Sequence, residues 1–357
     1  MNFYEKDTIP AVKAKFEAQK IAFGPFVFQA ALAMRDLGVL QAFETKGTKG
    51  ASVSEIAKET GVSEYGVKIL AEAGLGMGVF LWNETEKKFS TTKVAYFLLN
   101  DPMTRVNMDF VQDVNYEGFF KFKDCIVNGK PEGLKVFGSW PTLYEGLSQF
   151  PSKVRESWLS FDHYYSDAAF EAVLPIVFKN KPKRLMDVGG NTGRWTLHCL
   201  GYDKDVHVTI TDLPGQLRMA EKNMIEKGFA DRVSYHAANL LNPNDKLPKG
   251  NNIIWMSQFL DCFSQEEIVS ILQRAVEAMG PDDNLCILET YWDRQKYEAA
   301  AFCLQQTSLY FACLANGNSQ MYHSDDMKDC LEKAGLMLDR EIDYIGVSHT
   351  LFICSKK

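Results

Sequence analysis

The second half of the chain alternates short apolar runs with amphipathic stretches, and this pattern predicts its secondary structure. Five apolar runs are predicted to be strands: RLMDVGG, VHVTITD, RVSYHAA, NIIWMS and NLCILET. Between them lie stretches such as PGQLRMAEKNMIEKG, whose apolar residues recur at helical spacing. The final LMLDREIDYIGVSHTLFICSK predicts two strands joined at YIGVS. Because strands that alternate with helices build a parallel sheet, residues 181–357 predict an α/β domain with an antiparallel C-terminal hairpin.

The first 100 residues are predicted to be helical with one hairpin. FVFQAALAMRDLGVLQAF (26–43) has helical apolar spacing, and ASVSEIAKETGVSEYGVKILAEAGLGMGVF (51–80) predicts helix, turn, helix. Ser52 and Glu55 are spaced as a capping box, and Gly61 suits the turn. FLWNETEKKFSTTKVAYFLL then predicts a hairpin and another helix, which completes a winged-helix pattern. The stretch that would read DNA, SEYGVKILAEAGLGMG, has one Lys and two Glu, so DNA binding is not expected.

Residues 101–180 are predicted to be helical and are rich in aromatic side chains. These are Phe110, Tyr116, Phe119, Phe120, Phe122, Phe137, Trp140, Tyr144, Phe150, Trp158, Phe161, Tyr164, Tyr165 and Phe170. Some of them must fill a core. So many rings in a connecting region also suit the apolar wall of a pocket for a flat ligand, and both interpretations stay open.

Composition narrows the class of protein. A chain of 357 residues predicts two domains, and 46% hydrophobic with 24% charged residues is ordinary for a globular protein. The net charge of −7 counts against nucleic acid or an anionic membrane as the main partner. The eight cysteines form no C-x-x-C and no zinc spacing, so we expect free thiols, a reducing compartment and no metal. The sequence shows neither an apolar signal core nor a membrane-length apolar run, and we expect a cytoplasmic protein.

The segment RLMDVGGNTGRWT (184–196) predicts a ligand-binding loop between a strand and a helix. Glycines there let the backbone turn tightly and approach a ligand closely. A dinucleotide site needs G-x-G-x-x-G, and Asn191 stands where its second glycine belongs. Asp187, two residues before the first glycine, suits a cationic ligand better than a phosphate. Asp212 ends the next predicted strand, 19 residues after Gly193, where an acid can bind ribose hydroxyls or cap a helix.

The pattern D-x-G-x-N-x-G resembles the signature loop of class I S-adenosylmethionine (SAM) methyltransferases. The ordered set DVGGNTG, TDLPGQL, SYHAANLLNP and FLDCFSQEEIVSIL, after a winged-helix region, resembles the small-molecule O-methyltransferases. That family is typified by plant caffeate and flavonoid enzymes and by bacterial polyketide enzymes. The resemblance implies a seven-stranded, Rossmann-like SAM-binding domain (181–357), a helical linker or lid lining the substrate pocket (101–180), and a winged-helix dimerisation domain (1–100). It also implies a homodimer that converts SAM to S-adenosylhomocysteine (SAH).

The resemblance also implies which residues bind SAM. The loop would hold the methionyl part, Asp212 the ribose, AANLL the adenine, and FDHYYSD (161–167) would close over the cofactor. The residues carried over in this way are Asp187, Gly189, Gly190, Asn191, Gly193, Asp212, Leu213, Asn239, Leu240, Ser257 and Tyr165. Asn239 replaces an Asp of the family pattern, and Ser257 falls where the family often has a Lys.

The catalytic positions depart from the family. The resembled enzymes use a His as base. One alignment places Asp261 at that position and a shift by one residue places Leu260 there, so the histidine is absent in either case. Glu289 matches the first of two partner glutamates, and Gln320 stands at the second. A free Asp has a pKa of about 3.9, which a dry pocket would raise and a nearby helix start would lower. Asp261 is therefore a candidate base or a loop-capping residue. His163, Tyr164 and His323 are candidate substitutes for proton handling.

The expected activity is methyl transfer from SAM to a small phenolic or aromatic acceptor, by O-methylation, with ring C-methylation left open. The alternatives are a SAM-binding relative that has lost or changed methyl transfer, and a non-enzymatic dimer or regulator.

Overall fold

A computed structural model describes residues 4–357, which divide by their internal contacts into residues 4–112 and residues 113–357. No helix in this part of the chain is both long and apolar enough to cross a membrane. The boundaries predicted at residues 100 and 180 stay predictions.

Residues 4–112 contain the winged helix. The elements are α1 (Ala11–Ala22), α2 (Gly24–Asp36), α3 (Val39–Glu44), α4 (Val53–Thr60), α5 (Glu64–Gly76), β1 (Phe80–Asn83), β2 (Lys88–Thr91), α6 (Lys93–Asn100) and α7 (Pro102–Asp109). The predicted capping box at Ser52 is confirmed, and Gly61 ends α4 in a left-handed conformation. The stretch 26–43, with its helical apolar spacing, forms α2 and α3, which are separated at Gly38 because this residue adopts a φ of 73°.

Residues 113–357 contain the predicted α/β domain and the helices before it. The elements are α8 (Phe122–Asn128), α9 (Leu143–Gly146), α10 (Ser152–Val177), β3 (Arg184–Val188), α11 (Arg194–Tyr202), β4 (His207–Asp212), α12 (Pro214–Glu226), β5 (Val233–Ala237), β6 (Ile253–Ser257), α13 (Gln265–Ala278), β7 (Asn284–Glu289), α14 (Glu298–Tyr310), α15 (Ser324–Ala334), β8 (Leu336–Ile345) and β9 (His349–Lys356).

The seven-stranded sheet has the order β5-β4-β3-β6-β7-β9-β8. Strands β3 to β7 are parallel, whereas β9 pairs antiparallel with β7 and β8. This confirms the predicted fold, including the C-terminal hairpin.

Helices cover both faces of the sheet. One core joins α13 and α15 to the strands, and the other joins α10, α11 and α12 to the opposite face. The buried rings of Trp195 and Trp255 stack in the second core with their centroids 4.0 Å apart. Because the central strands are parallel, their carboxyl ends and the loops that follow lie along one edge, which is where open α/β sheets bind ligands.

Candidate active site

The glycine loop after β3 has the tight geometry that its sequence predicts. Gly189 and Gly193 have φ angles of +72° and +82°, which L side chains rarely adopt. The Gly189 amide donates to the Thr211 carbonyl at 2.8 Å, and the Gly193 amide donates to the Gly190 carbonyl at 2.7 Å. A Cβ at Gly189 would lie 2.2 Å from the Phe259 ring, so the loop packs directly against the segment after β6.

Asp187 lies buried at the end of β3, beside this loop. Its Oδ2 accepts a hydrogen bond from the Thr196 hydroxyl at 2.7 Å. Burial raises the pKa of this carboxyl to about 7, with a smaller contribution from the negative charge of Asp212. An acid held away from water beside a neutral partner is suited to a ligand that brings its own positive charge.

Asp212 ends β4, and its carboxyl joins the glycine loop after β3 to the segment after β4. One carboxyl oxygen accepts from the Asn191 amide at 2.8 Å and the other from the Leu213 amide at 2.6 Å. Burial raises its pKa. Since a carboxylate offers about four lone-pair sites, Asp212 keeps acceptor capacity for two hydroxyl groups.

The remaining residues expected at the cofactor differ in their surroundings. Asn239 is exposed, and its side-chain oxygen accepts from the Leu241 amide at 3.1 Å in an Asx turn. Leu240 is buried. The Oγ of Ser257, at the end of β6, is buried and has no hydrogen-bond partner among the described residues. The Tyr165 ring packs against Phe161 with centroids 5.2 Å apart.

These residues fit SAM. They combine two acids at adjacent strand ends, a glycine turn, an unpartnered buried hydroxyl and apolar side chains. The acids suit a cationic amine and ribose hydroxyls, and the hydroxyl is a polar group that requires a partner. Of the predicted cofactor residues, the structure places Asp187, Gly189–Gly193, Asp212 and Ser257 along the carboxyl edge of three neighbouring strands.

Asp261 lies in a single 3₁₀ turn, Leu260–Cys262, between β6 and α13. Its side chain is only 7% exposed, and its Oδ1 accepts from the Cys262 thiol at 3.4 Å. Burial raises the pKa of Asp261 to about 6. Burial outweighs the hydrogen bond from Cys262, which lowers the pKa of this carboxyl.

Glu289, at the end of β7, holds the segment that leads to Asp261. Its Oε1 accepts from the amides of Phe259 and Leu260 at 2.9 and 2.8 Å. The residue is 1% exposed, and its Oε2 has no hydrogen-bond partner among the described residues. Burial and the negative charge of Asp261 raise the pKa of Glu289 well above its usual value.

Three further side chains fix the loop, and none of them was expected from the sequence. Asn316 Nδ2 donates to the Cys262 carbonyl at 2.6 Å. Tyr322 donates its hydroxyl to the Phe263 carbonyl at 2.6 Å, and Tyr144 donates to Cys262 Sγ at 3.0 Å. Gln320, the residue expected near the base, is exposed, whereas Asn316 four residues earlier reaches the loop.

The predicted substitutes for proton handling have different surroundings. His323 caps α15, and its Nδ1 accepts from the Asp325 amide at 3.1 Å. His163 lies on α10, where burial and the charge of Arg194 lower its pKa, and its Nε2 has no partner among the described residues. Tyr164 packs edge-on against Tyr165 with centroids 5.4 Å apart.

Asp162, within FDHYYSD, is a further acid that the charge of Asp261 affects. Burial raises its pKa to about 7, and the charge of Asp261 adds to the rise. The sequence carries no sign of this proximity, because 99 positions separate the two carboxyls.

Comparisons with known proteins identify the family of the chain. The parallel sheet with an antiparallel hairpin, and its acids at the carboxyl edge, define a class I methyltransferase fold. The model of the O-methyltransferase domain family matches residues 119–337, and that of the Dimerisation2-like domain matches residues 15–89. The chain therefore belongs to the O-methyltransferase domain family, and the predicted SAM-dependent methyltransferase is confirmed.

Individual relatives are distant. A demethylsterigmatocystin 6-O-methyltransferase of Aspergillus parasiticus is 24% identical over 307 residues, covering 76% of this chain and 71% of that protein. A demethylspheroidene O-methyltransferase of Rhodobacter capsulatus is 22% identical, covering 79% and 67%. The solved apo structure of the SAM-dependent methyltransferase SibL shares the fold with a TM-score of 0.72, at 22% identity over 94% of this chain and 98% of SibL.

Proposed function

We propose that the protein transfers the methyl group of SAM to a hydroxyl oxygen of a small aromatic acceptor, with Asp261 as the proton acceptor. The observation that carries the proposal is a buried carboxyl on a fixed loop, at the sheet edge that also carries Asp187 and Asp212. The family and the two O-methyltransferase relatives favour this activity over the alternatives of lost methyl transfer or a regulatory role.

The cofactor residues have distinct parts in this proposal. Asp187 faces the positively charged methionyl group, and the Asp212 carboxyl accepts from the ribose hydroxyls. Ser257 offers its unpartnered hydroxyl, while Leu240 and Tyr165 supply apolar contacts for the adenine and the lid. Bound SAM supplies an electrophilic methyl group, and alignment of that group with the acceptor provides a large part of the rate.

Asp261 is suited to take a proton from a hydroxyl group. A pKa of about 6 leaves it ionised at neutral pH, yet makes it a stronger base than a free aspartate. A phenol, with a pKa of about 10, is more acidic than an aliphatic alcohol and can be deprotonated by a weaker base. In the same proposal Glu289 is a positioning residue, because it holds the amides that precede Asp261.

The surroundings of Asp261 favour an aromatic acceptor. Phe259 and Phe263, two residues before and two residues after Asp261, pack edge-on against each other with their ring centroids 4.9 Å apart. Tyr144 contacts Cys262, and the negative charge of Asp261 acts on Tyr310. These rings provide the flat apolar surfaces on which an aromatic compound can pack.

Methyl transfer can be tested with SAM that carries a labelled methyl group. We expect the purified protein to bind SAM in a calorimeter and to form SAH with a panel of phenols, with mass spectrometry locating the label on oxygen. SAM binding without SAH formation across the panel would contradict the proposed acceptor class. A label on a ring carbon would contradict O-methylation but not methyl transfer from SAM.

We also infer a homodimer through the N-terminal region. The matched domain there is of a dimerisation type, and α1 and α2 expose apolar side chains, with Val12, Ile21 and Phe26 at 85, 80 and 72% exposure. Large apolar side chains left exposed in a region matched to a dimerisation domain are candidates for burial against a second copy.

The dimer can be tested by sedimentation equilibrium. Ile21→Glu with Phe26→Glu should convert a dimer to a monomer. Phe120→Glu, at an equally exposed aromatic outside this region, is the matched control and should leave the dimer intact. A wild-type protein that sediments as a monomer would refute this inference.

A further inference from the structure

Helix α10 carries a ring, Trp158, and an acid, Asp162, that both act on Tyr310. Residues four apart on a helix lie on the same face, so Asp162 follows Trp158 by one turn. The Trp158 indole donates to the Tyr310 hydroxyl at 2.8 Å, and Tyr310 is buried at the end of α14. The negative charges of Asp162 and Asp261 both act on Tyr310, so the two carboxyls approach this ring from different elements.

Among the residues that the structure describes, three charged groups act on Asp162. Asp261 and Asp167 raise its pKa, and Arg194 lowers it. Arg194 already donates to both oxygens of Asp167. Within the described residues, the Asp162 carboxyl has no hydrogen bond or ion pair of its own.

Within residues 4–357, the charged groups near Asp162 and the Asp261 loop are therefore mainly acids. Arg194, which acts on Asp162, is already paired with Asp167. Glu289, whose Oε2 is buried and unpartnered, adds a third acid beside the loop. Burial and the charge of Arg194 lower the pKa of His163, the next residue on α10. Its neutral form is therefore favoured, and it adds no fixed positive charge.

We propose that Asp162 is a specificity-determining residue of the acceptor site, and that with Asp261 it selects uncharged phenols and excludes acceptors that carry a carboxylate. This inference rests on the proposed function, since it assumes that the acceptor lies beside Asp261. A carboxylate on the acceptor would be repelled by two acids, and Asp261 is buried, so that its charge is screened less than it would be in water.

The test compares two acceptors that differ only in charge: 3,4-dihydroxybenzoate and its methyl ester. Each is titrated into the SAH-bound protein at pH 8 to measure affinity, and each is assayed with SAM for kcat/KM. The wild-type protein should bind the ester more tightly than the acid by about 10- to 100-fold. Asp162→Asn, which keeps the shape and removes the charge, should reduce this ratio about tenfold by tightening binding of the acid.

Glu171→Gln is the matched control, because Glu171 is an exposed acid on the same helix. It should leave the ratio unchanged. An unchanged ratio in Asp162→Asn, with normal SAH binding, would overturn the inference. Equal affinity of the wild-type protein for the acid and the ester would overturn it as well, and this measurement requires no variant.

Failure of the inference can be told apart from failure of the proposed function. If neither compound is methylated, the proposed acceptor class is contradicted, while the affinity ratio still decides the role of Asp162. If the ester is methylated and Asp162→Asn leaves the ratio of the two affinities unchanged, the proposed function stands and the specificity assignment fails.

Discussion

The Oε1 atom of Glu289 accepts a hydrogen bond from the amide of Leu260 at 2.8 Å, one residue before Asp261. The same oxygen accepts from the Phe259 amide at 2.9 Å. Both donors are backbone groups, so the position of the carboxyl fixes the path of the chain after β6. The negative charge of Asp261 also raises the pKa of Glu289. The two acids therefore interact electrostatically as well as through the backbone.

Replacement of Glu289 should separate its hydrogen-bonding role from its charge. Glu289→Ala leaves two amides without an acceptor, and each such loss costs about 1–3 kcal/mol. We expect a fall of about 2–4 kcal/mol in the free energy of unfolding, measured with urea. Glu289→Gln keeps a carbonyl oxygen and should stay within about 1 kcal/mol of the wild type. Equal losses in both variants would show that charge, not hydrogen bonding, dominates.

Asp261→Asn should remove the acid limb of the pH–rate profile. Because protonation disables the base, wild-type kcat/KM should fall as pH decreases through about 6, the pKa of Asp261. The variant should lose about 10²- to 10⁴-fold in kcat and show no such limb, with SAM affinity retained. Glu266→Gln, an exposed acid on α13, is the control and should keep the wild-type profile. Full activity of Asp261→Asn at every pH would exclude Asp261 as the base.

The sequence predicts most of the fold because the relevant signals are local. Apolar runs mark β3 and β6, and the spacing of Ser264 and Glu267 marks the start of α13, which the structure confirms as a capping box. The glycine loop is equally local, because the need for positive φ shows directly in its residue types.

The loop around Asp261 could be predicted only in part. The sequence shows its position between a strand and a capped helix. Asn316, which donates to its backbone, and Asp162, which interacts with Asp261 through charge, come from distant parts of the chain. Which polar residue of NGNSQ turns inward depends on how the turn after α14 packs. The sequence alone therefore points to Gln320, whereas Asn316 makes the contact.

Gly189→Ala should disrupt the cofactor loop. Alanine at a φ of +72° costs about 1–2 kcal/mol, and its Cβ would lie 2.2 Å from the Phe259 ring, which must then move. We expect lower thermal stability and at least about tenfold weaker SAM binding by calorimetry, since ~1.4 kcal/mol corresponds to a factor of ten. Gly201→Ala is the matched control, because Gly201 lies in α11 with open space around it and should be neutral or slightly stabilising. Normal SAM binding by Gly189→Ala would contradict the proposed place of the loop.

SAM binding should release a proton from Asp187. The pKa of this buried acid is raised to about 7, so below pH 7 it is mainly protonated, and a cationic ligand favours the ionised form. Without ligand, the stabilising contribution of this group is complete below pH ~3.9 and is lost as pH rises through about 7. SAM should therefore bind more tightly as pH rises from 6 to 7, by up to about tenfold for one group. Calorimetry at pH 6.5 in buffers with different ionisation enthalpies measures the released protons directly.

The matching variants assign that proton to its residue. Asp187→Asn should bind SAM weakly and release close to no proton at pH 6.5, while Asp231→Asn, an exposed acid before β5, should behave as the wild type. Proton release that persists in Asp187→Asn would assign the titration to another group, with Asp212 the next candidate because burial raises its pKa as well. Proton uptake by the wild type would show that the cation of SAM does not approach Asp187, and the cofactor assignment would then have to be revised.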